Sequence, residues 1–180
     1  MTASAQEAGR SEVSVQAFGS FVKDTTQDGI RQSATNSGGV LASYRFFFSN
    51  SHGVEVNYGY SRNTQNYGLT DGLLGVKSDQ HEFSAAYVYR RPLRNFTPFV
   101  EGGVAALLFD PTDLPGVSTQ TRAAFVYGGG ADFNITHRLF VRAEYRGFVY
   151  NSPTFDLATT AGTERITHRA EPSIGFGYRF

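Results

Sequence analysis

The 180-residue chain has no cysteine and no tryptophan, and only 18% of it is charged. Without cysteine there can be no disulfide, no thiolate zinc site and no cysteine nucleophile. Long apolar runs are missing as well. The longest, Val104-Ala105-Ala106-Leu107-Leu108-Phe109, is far shorter than the roughly 18 residues that a membrane-crossing helix requires. A charge excess of either sign is also lacking, with 16 Lys and Arg against 16 Asp and Glu. No net field therefore draws the chain to nucleic acid or to an anionic lipid surface. Nor is there a stretch in which apolar residues recur at helical spacing between caps.

What the chain does have is glycine, 20 residues, together with 10 Tyr and 16 Phe, a composition suited to strands and tight turns. Period-2 alternation runs from Glu12 to Phe180 and predicts an all-β chain. Eight strands can be drawn, at 12–23, 38–48, 53–61, 80–90, 96–109, 121–133, 138–150 and 165–180. Most are near the roughly 9 to 11 residues that a tilted membrane-crossing strand needs. Links of a few residues (49–52, 91–95, 134–137) alternate with long polar ones (24–37, 62–79, 110–120, 151–164). Short turns at one end and long loops at the other are the layout of an up-and-down membrane barrel.

The two faces of each strand differ in chemistry. One face carries Val13, Val15, Tyr44, Phe46, Val56, Tyr58, Phe83, Tyr87, Val104, Phe125, Val141, Tyr145, Ile174 and Phe176, with His168 as its only ionisable group apart from tyrosine. The other carries Glu12, Arg45, Glu55, Glu82, Arg90, Glu101, Arg122, Asp132, Arg142, Glu144, Arg146, Arg165, Arg169, Glu171 and Arg179. A soluble barrel could show the same alternation with the faces reversed. Two features favour the membrane orientation. The charged face contains no lysine, and arginine's planar fork suits packed, carboxylate-paired interiors. The apolar face gathers Phe46, Phe48, Tyr87, Tyr89, Phe133, Tyr178 and Phe180 beside the short turns, and Tyr58, Tyr60, Phe125 and Tyr127 toward the long loops. Two such aromatic belts mark the two membrane interfaces.

Backbone groups in hydrocarbon must all be paired, so the sheet has to close, strand 1 on strand 8. Eight strands leave a lumen that side chains can fill. The fold class expected is thus a closed eight-stranded antiparallel up-and-down transmembrane β-barrel with a polar, side-chain-filled lumen. An ion-pair network of Arg45, Glu55, Glu82, Arg90, Glu101, Arg122, Asp132, Arg142, Glu144, Arg146, Arg169 and Glu171 would fill it, its two signs nearly balanced because an unpaired buried charge is costly. Residues 1–11 read as a flexible leader in which Ala3-Ser4-Ala5 has the form of a trimmed export-signal site. Residues 12–180 form the barrel domain.

The last strand ends Ser173-Ile174-Gly175-Phe176-Gly177-Tyr178-Arg179-Phe180. It resembles the C-terminal assembly signal of outer-membrane proteins, which Ser173, Gly175, Tyr178 and Phe180 match at the defined positions. The stretch 12–180 is similar to the eight-stranded outer-membrane barrel family of OmpA and OmpX, and Glu144-Tyr145-Arg146 is similar to that group's penultimate-strand motif. The resemblance implies insertion into a bacterial outer membrane by the barrel-assembly machinery, with periplasmic termini and surface loops. The resemblance does not extend to the peptidoglycan-binding domain of full-length OmpA, so anchoring to the cell wall is not among the expectations.

Sites of chemistry are sparse. His52 and His137 fall in short turns, and His81 and His168 sit near the long-loop ends of strands 4 and 8, too far apart to converge on a metal. His168 would need a serine or acid partner to act on a lipid head group, and its neighbours Thr167 and Arg169 point inward. Gly128-Gly129-Gly130 lies mid-strand without a lysine or following helix, so it reads as relief of crowding inside the barrel or as a bend rather than a phosphate loop, and Gly102-Gly103 reads likewise. Asp110, Asp113 and Asp24 to Asp28 lack EF-hand spacing. No cofactor and no catalytic residue is expected. The leading function is a non-enzymatic envelope barrel whose loops bind an external ligand or adhere. The alternatives are a narrow pore, an outer-leaflet lipid-modifying enzyme and a soluble lipocalin-like carrier.

Overall fold

The computed structural model describes residues 10–22, 25–27, 30–34, 37–69, 72–111, 119–151 and 166–180. The leader expected at 1–11 lies almost wholly outside the described residues, as does Arg165. The strands are β1 (Ser11–Val22), β2 (Thr25–Gln27), β3 (Ile30–Ala34), β4 (Ser37–Phe47), β5 (His52–Leu69), β6 (Gly72–Arg90), β7 (Phe96–Pro111), β8 (Gln120–Asn134), β9 (Leu139–Asn151) and β10 (Ile166–Arg179). Eight of them, β1 and β4 to β10, form a ring of antiparallel neighbours that closes between β1 and β10. The short β2 and β3 are added on the outer flank of β5.

Burial alternates along the strands as the pleat requires. In β4 every second residue from Leu41 to Phe47 is buried, and Ala42, Tyr44 and Phe46 between them are exposed. The exposed set includes Val15, Val56, Phe83, Val104, Phe125, Ile174 and Phe176, each more than half accessible. Arg45, Arg142, Arg146, Glu12 and Glu55 are fully buried. Apolar side chains thus face out and charge faces in, the reverse of a soluble barrel. This removes the carrier reading.

The structure departs from the sequence reading in three places. The segment 62–79 is not a loop in its backbone: β5 and β6 run on as one antiparallel hairpin as far as Leu69 paired with Gly72. Polar composition hid these strands, because above the bilayer neither face needs to be apolar. Within 24–37, β2 and β3 likewise pair, and β3 continues onto β5 from Gln32 opposite Tyr67.

The second departure is inside. Phe47, Val88 and Phe99 form one apolar cluster, and Ala105, Leu107, Phe109, Ala124, Val126, Phe148 and Tyr150 form another. The first lies toward the short turns and the second toward the long loops, so apolar side chains lie on both sides of the central charges. Arginine stacks on these rings, with Arg90 3.4 Å above Phe47 and Arg45 3.8 Å above Phe99. Such cation–π contacts contribute about 0.5 to 2 kcal/mol each.

The third concerns glycine. A Cβ at Gly128 would stand 2.6 Å from the Tyr145 carbonyl oxygen and 3.0 Å from Glu101 Oε1, whereas one at Gly102 would meet nothing within 4 Å. Crowding thus accounts for Gly128, and for Gly103, whose Cβ would collide with the Ala85 carbonyl oxygen, and not for Gly102.

Candidate functional site

The buried charges sort into two groups along the barrel axis. Toward the short turns, Glu12 of β1 accepts from Arg90 at 2.5 Å, Arg179 at 2.8 Å and Arg142 at 3.2 Å. Arg142 also forks onto Asp132, Nε to Oδ1 at 2.6 Å and Nη2 to Oδ2 at 2.9 Å. Arg45 of β4 pairs with Glu55 across the β4–β5 ladder and reaches Glu101 at 3.4 Å and Glu144 at 3.7 Å. Gln16 Nε2 donates to Glu144 Oε2 at 3.0 Å.

Nearer the long loops, Arg146 and Arg169 bridge Glu82 and Glu171 in a closed square. Its four contacts are Arg146 to Glu82 at 2.7 Å, Arg146 to Glu171 at 2.8 Å, Arg169 to Glu82 at 2.7 Å and Arg169 to Glu171 at 2.8 Å. Arg169 also donates to Gln80 Oε1 at 3.1 Å. Glu82 stands on β6, Arg146 on β9, and Arg169 and Glu171 both on β10. The square therefore ties β6 to β9 and β10 straight across the lumen.

The structure thus brings together eleven of the twelve network residues read from sequence, and adds Glu12 as the partner of Arg90 and Arg142, with Arg179 as a third arginine on Glu12. Their signal was present, since both lie on the charged face. Arg122 is half-buried and donates to Gln120 Oε1 at 3.3 Å. The Glu55, Glu101 and Glu144 carboxylates lie within 4.8 Å of one another. The Arg45 guanidinium contacts all three, so the cation that they surround is already a side chain.

The residues expected to form an assembly signal split between the faces. Ser173 is buried and donates to Gln16 Oε1 at 3.0 Å. Gly175 packs against the β1 backbone at Val15 and Gln16. Tyr178 and Phe180 are exposed and stack with ring centroids 6.3 Å apart.

Three of the four histidines are paired with tyrosines on the outer face. Tyr58 OH and His81 Nδ1 are 2.9 Å apart, and Tyr127 OH and His168 Nε2 are 2.6 Å apart. His52 Nδ1 meets Tyr87 OH. Among the described residues no serine or carboxylate is hydrogen-bonded to the His168 ring. Above the barrel, Arg62 forks onto Asp79 at 2.7 and 3.1 Å. These hydrogen bonds hold the Asp79 carboxyl below its ordinary range.

A closed barrel with this polarity has a known family counterpart. The family model for the outer membrane protein beta-barrel domain matches residues 1–180. The chain belongs to that family. Its place is the bacterial outer membrane, with the apolar face in the bilayer. The crystal structure of the outer membrane protein OprG from Pseudomonas aeruginosa is similar at a TM-score of 0.70 and 16% identity, over 96% of each chain. Neisserial surface protein A is similar at a TM-score of 0.69 and 16% identity, over 97% of this chain and 100% of its own. Ail, the attachment invasion locus protein of Yersinia pestis, is similar at 0.59 and 18% identity, over 96% and 99%. At these identities the likeness is one of fold. No curated protein sequence matches the chain.

Proposed function

We propose that this outer-membrane barrel is a non-enzymatic envelope protein whose filled lumen passes no solute, and whose long-loop end carries the binding or adhesive surface. The observation that carries the reading is the square of Arg146, Arg169, Glu82 and Glu171 across the lumen, with apolar clusters toward either end. Opening a water-filled path would require breaking several buried ion pairs at once, each costing about 3 to 5 kcal/mol when one partner is lost. On the other side of the argument, β5 and β6 extend well past the barrel and β3 pairs with β5 there. A sheet standing clear of the bilayer suits recognition of an external ligand better than passage.

Two partners belong to the same reading. Insertion would use the barrel-assembly machinery through Ser173, Gly175, Tyr178 and Phe180, of which Tyr178 and Phe180 face outward. The external ligand would meet the segments 24–37, 62–79, 110–120 and 151–164. The test is planar-bilayer conductance of the refolded full chain. Silence is expected, and steady unitary currents would replace this reading with a narrow pore.

A further inference from the structure

The overall charge balance conceals an uneven distribution that only the fold displays. The lumen holds seven arginines and seven acids, counting Glu12, Arg122 and Arg179 with the network. The segments at the long-loop end (23–37, 62–79, 110–118 and 152–165) hold five Lys and Arg against eight Asp and Glu. At the opposite end, the turns 91–95 and 135–138 contain Arg91, Arg94 and Arg138 and no acid.

These two turns are one surface. The Asn134 amide donates to the Asn95 carbonyl at 3.1 Å, which joins them directly. Arg91 and Arg94 are exposed, and neither side chain makes an ion pair or hydrogen bond among the described residues. Among the described residues the Arg138 guanidinium donates to the Tyr178 hydroxyl alone, at 3.2 Å. Beside the arginines the turn tips expose apolar side chains, Leu93 at 41% and Ile135 at 58%. Directly below, Phe96 and Phe133 stack on the outer face with centroids 6.3 Å apart. The remaining short turn, Ser49-Asn50-Ser51, has neither charge nor an apolar tip, so the pattern belongs to this side of the rim.

We propose that Arg91, Arg94 and Arg138, with Leu93 and Ile135, form a binding site for the head group of an anionic phospholipid in the leaflet that surrounds the short turns. The apolar tips choose lipid over a soluble polyanion. Leucine and isoleucine standing beside unpaired arginines are unfavourable in water, but suit the boundary where acyl chains give way to phosphate. The patch is also continuous with the aromatic belt, so lipid already lies against it. Guanidinium forks match a phosphodiester, and the acid-free turns offer it no competing carboxylate.

The test reconstitutes the full chain in nanodiscs of phosphatidylcholine with a minority of phosphatidylglycerol, and reads spin-labelled forms of both lipids at the protein boundary. Phosphatidylglycerol is expected to be preferred about fivefold, the equivalent of roughly one arginine's contribution near a membrane surface, and the preference should weaken with added salt. Arg91→Gln with Arg94→Gln should bring it close to parity, and Arg62→Gln at the far end should leave it unchanged. All these positions are exposed, and retention of the folded band in cold SDS confirms each barrel. Arg138→Gln alone should give an intermediate preference. Equal association of both lipids with the unaltered chain, or full preference in the double variant, overturns the proposal. So does displacement of the anionic lipid by soluble muropeptides, which would assign the arginines to the cell wall instead.

Discussion

Replacing Arg146 by Met tests the lumen square most directly. Arg146 is fully buried and meets Glu82 and Glu171 at 2.7 and 2.8 Å. With charge centres about 4 Å apart and an effective dielectric of about 20, each contact is worth about 4 kcal/mol before desolvation is subtracted. Losing both leaves two carboxylates on Arg169 alone. The net cost should fall at about 3 to 5 kcal/mol, the range for a buried pair that loses one partner. Glu171→Gln should cost a similar amount for the opposite reason, since two arginines then share Glu82. The double variant restores one arginine to one acid. It should therefore cost no more than the worse single change, giving a coupling of about 3 kcal/mol. The chain has no tryptophan, so urea unfolding in lipid vesicles is best followed by the folded fraction on cold SDS gels. Strict additivity of the two changes, or a cost below about 1 kcal/mol for Arg146→Met, would refute the claim that the square holds the lumen together.

Other outcomes follow from the facing and depth of particular residues. Val104 is 65% exposed and lies in the middle of β7, with Ala85 and Phe125 as its ladder partners. Val104→Arg should cost about 2 to 4 kcal/mol in vesicles. Val141 pairs with Phe176 and with Phe133 of the turn-side belt; Val141→Arg should cost only about 0 to 1 kcal/mol, and the reverse order would contradict this placement. Gly128→Val drives a side chain into the Tyr145 carbonyl and Glu101, and should destabilise by about 1 to 3 kcal/mol or more. Gly102→Ala, with open space around it, should stay within about 0.5 kcal/mol in the same titration.

The alternation of Val13, Val15 and Tyr44 with Glu12, Ser14 and Arg45 was enough to place these strands and their faces, because a strand's side-chain period is fixed at two residues whatever it packs against. The same parity separated Glu101 and Arg142 from Val100 and Val141. It could not say which carboxylate each arginine meets. Arg146 finds Glu82 from a strand 64 positions away, and that pairing depends on strand tilt and stagger, which period-2 alternation leaves undetermined. Inward aromatics such as Phe99 and Phe148 leave no mark in the charge pattern, because a phenylalanine suits either side of a barrel wall. The hairpin through Leu69 and Gly72 escaped because strands above a membrane need no apolar face. Composition alone set the net charge at zero. Closure of the sheet decided where the charges went, by gathering Arg91, Arg94 and Arg138 at one end while every inward acid found an arginine.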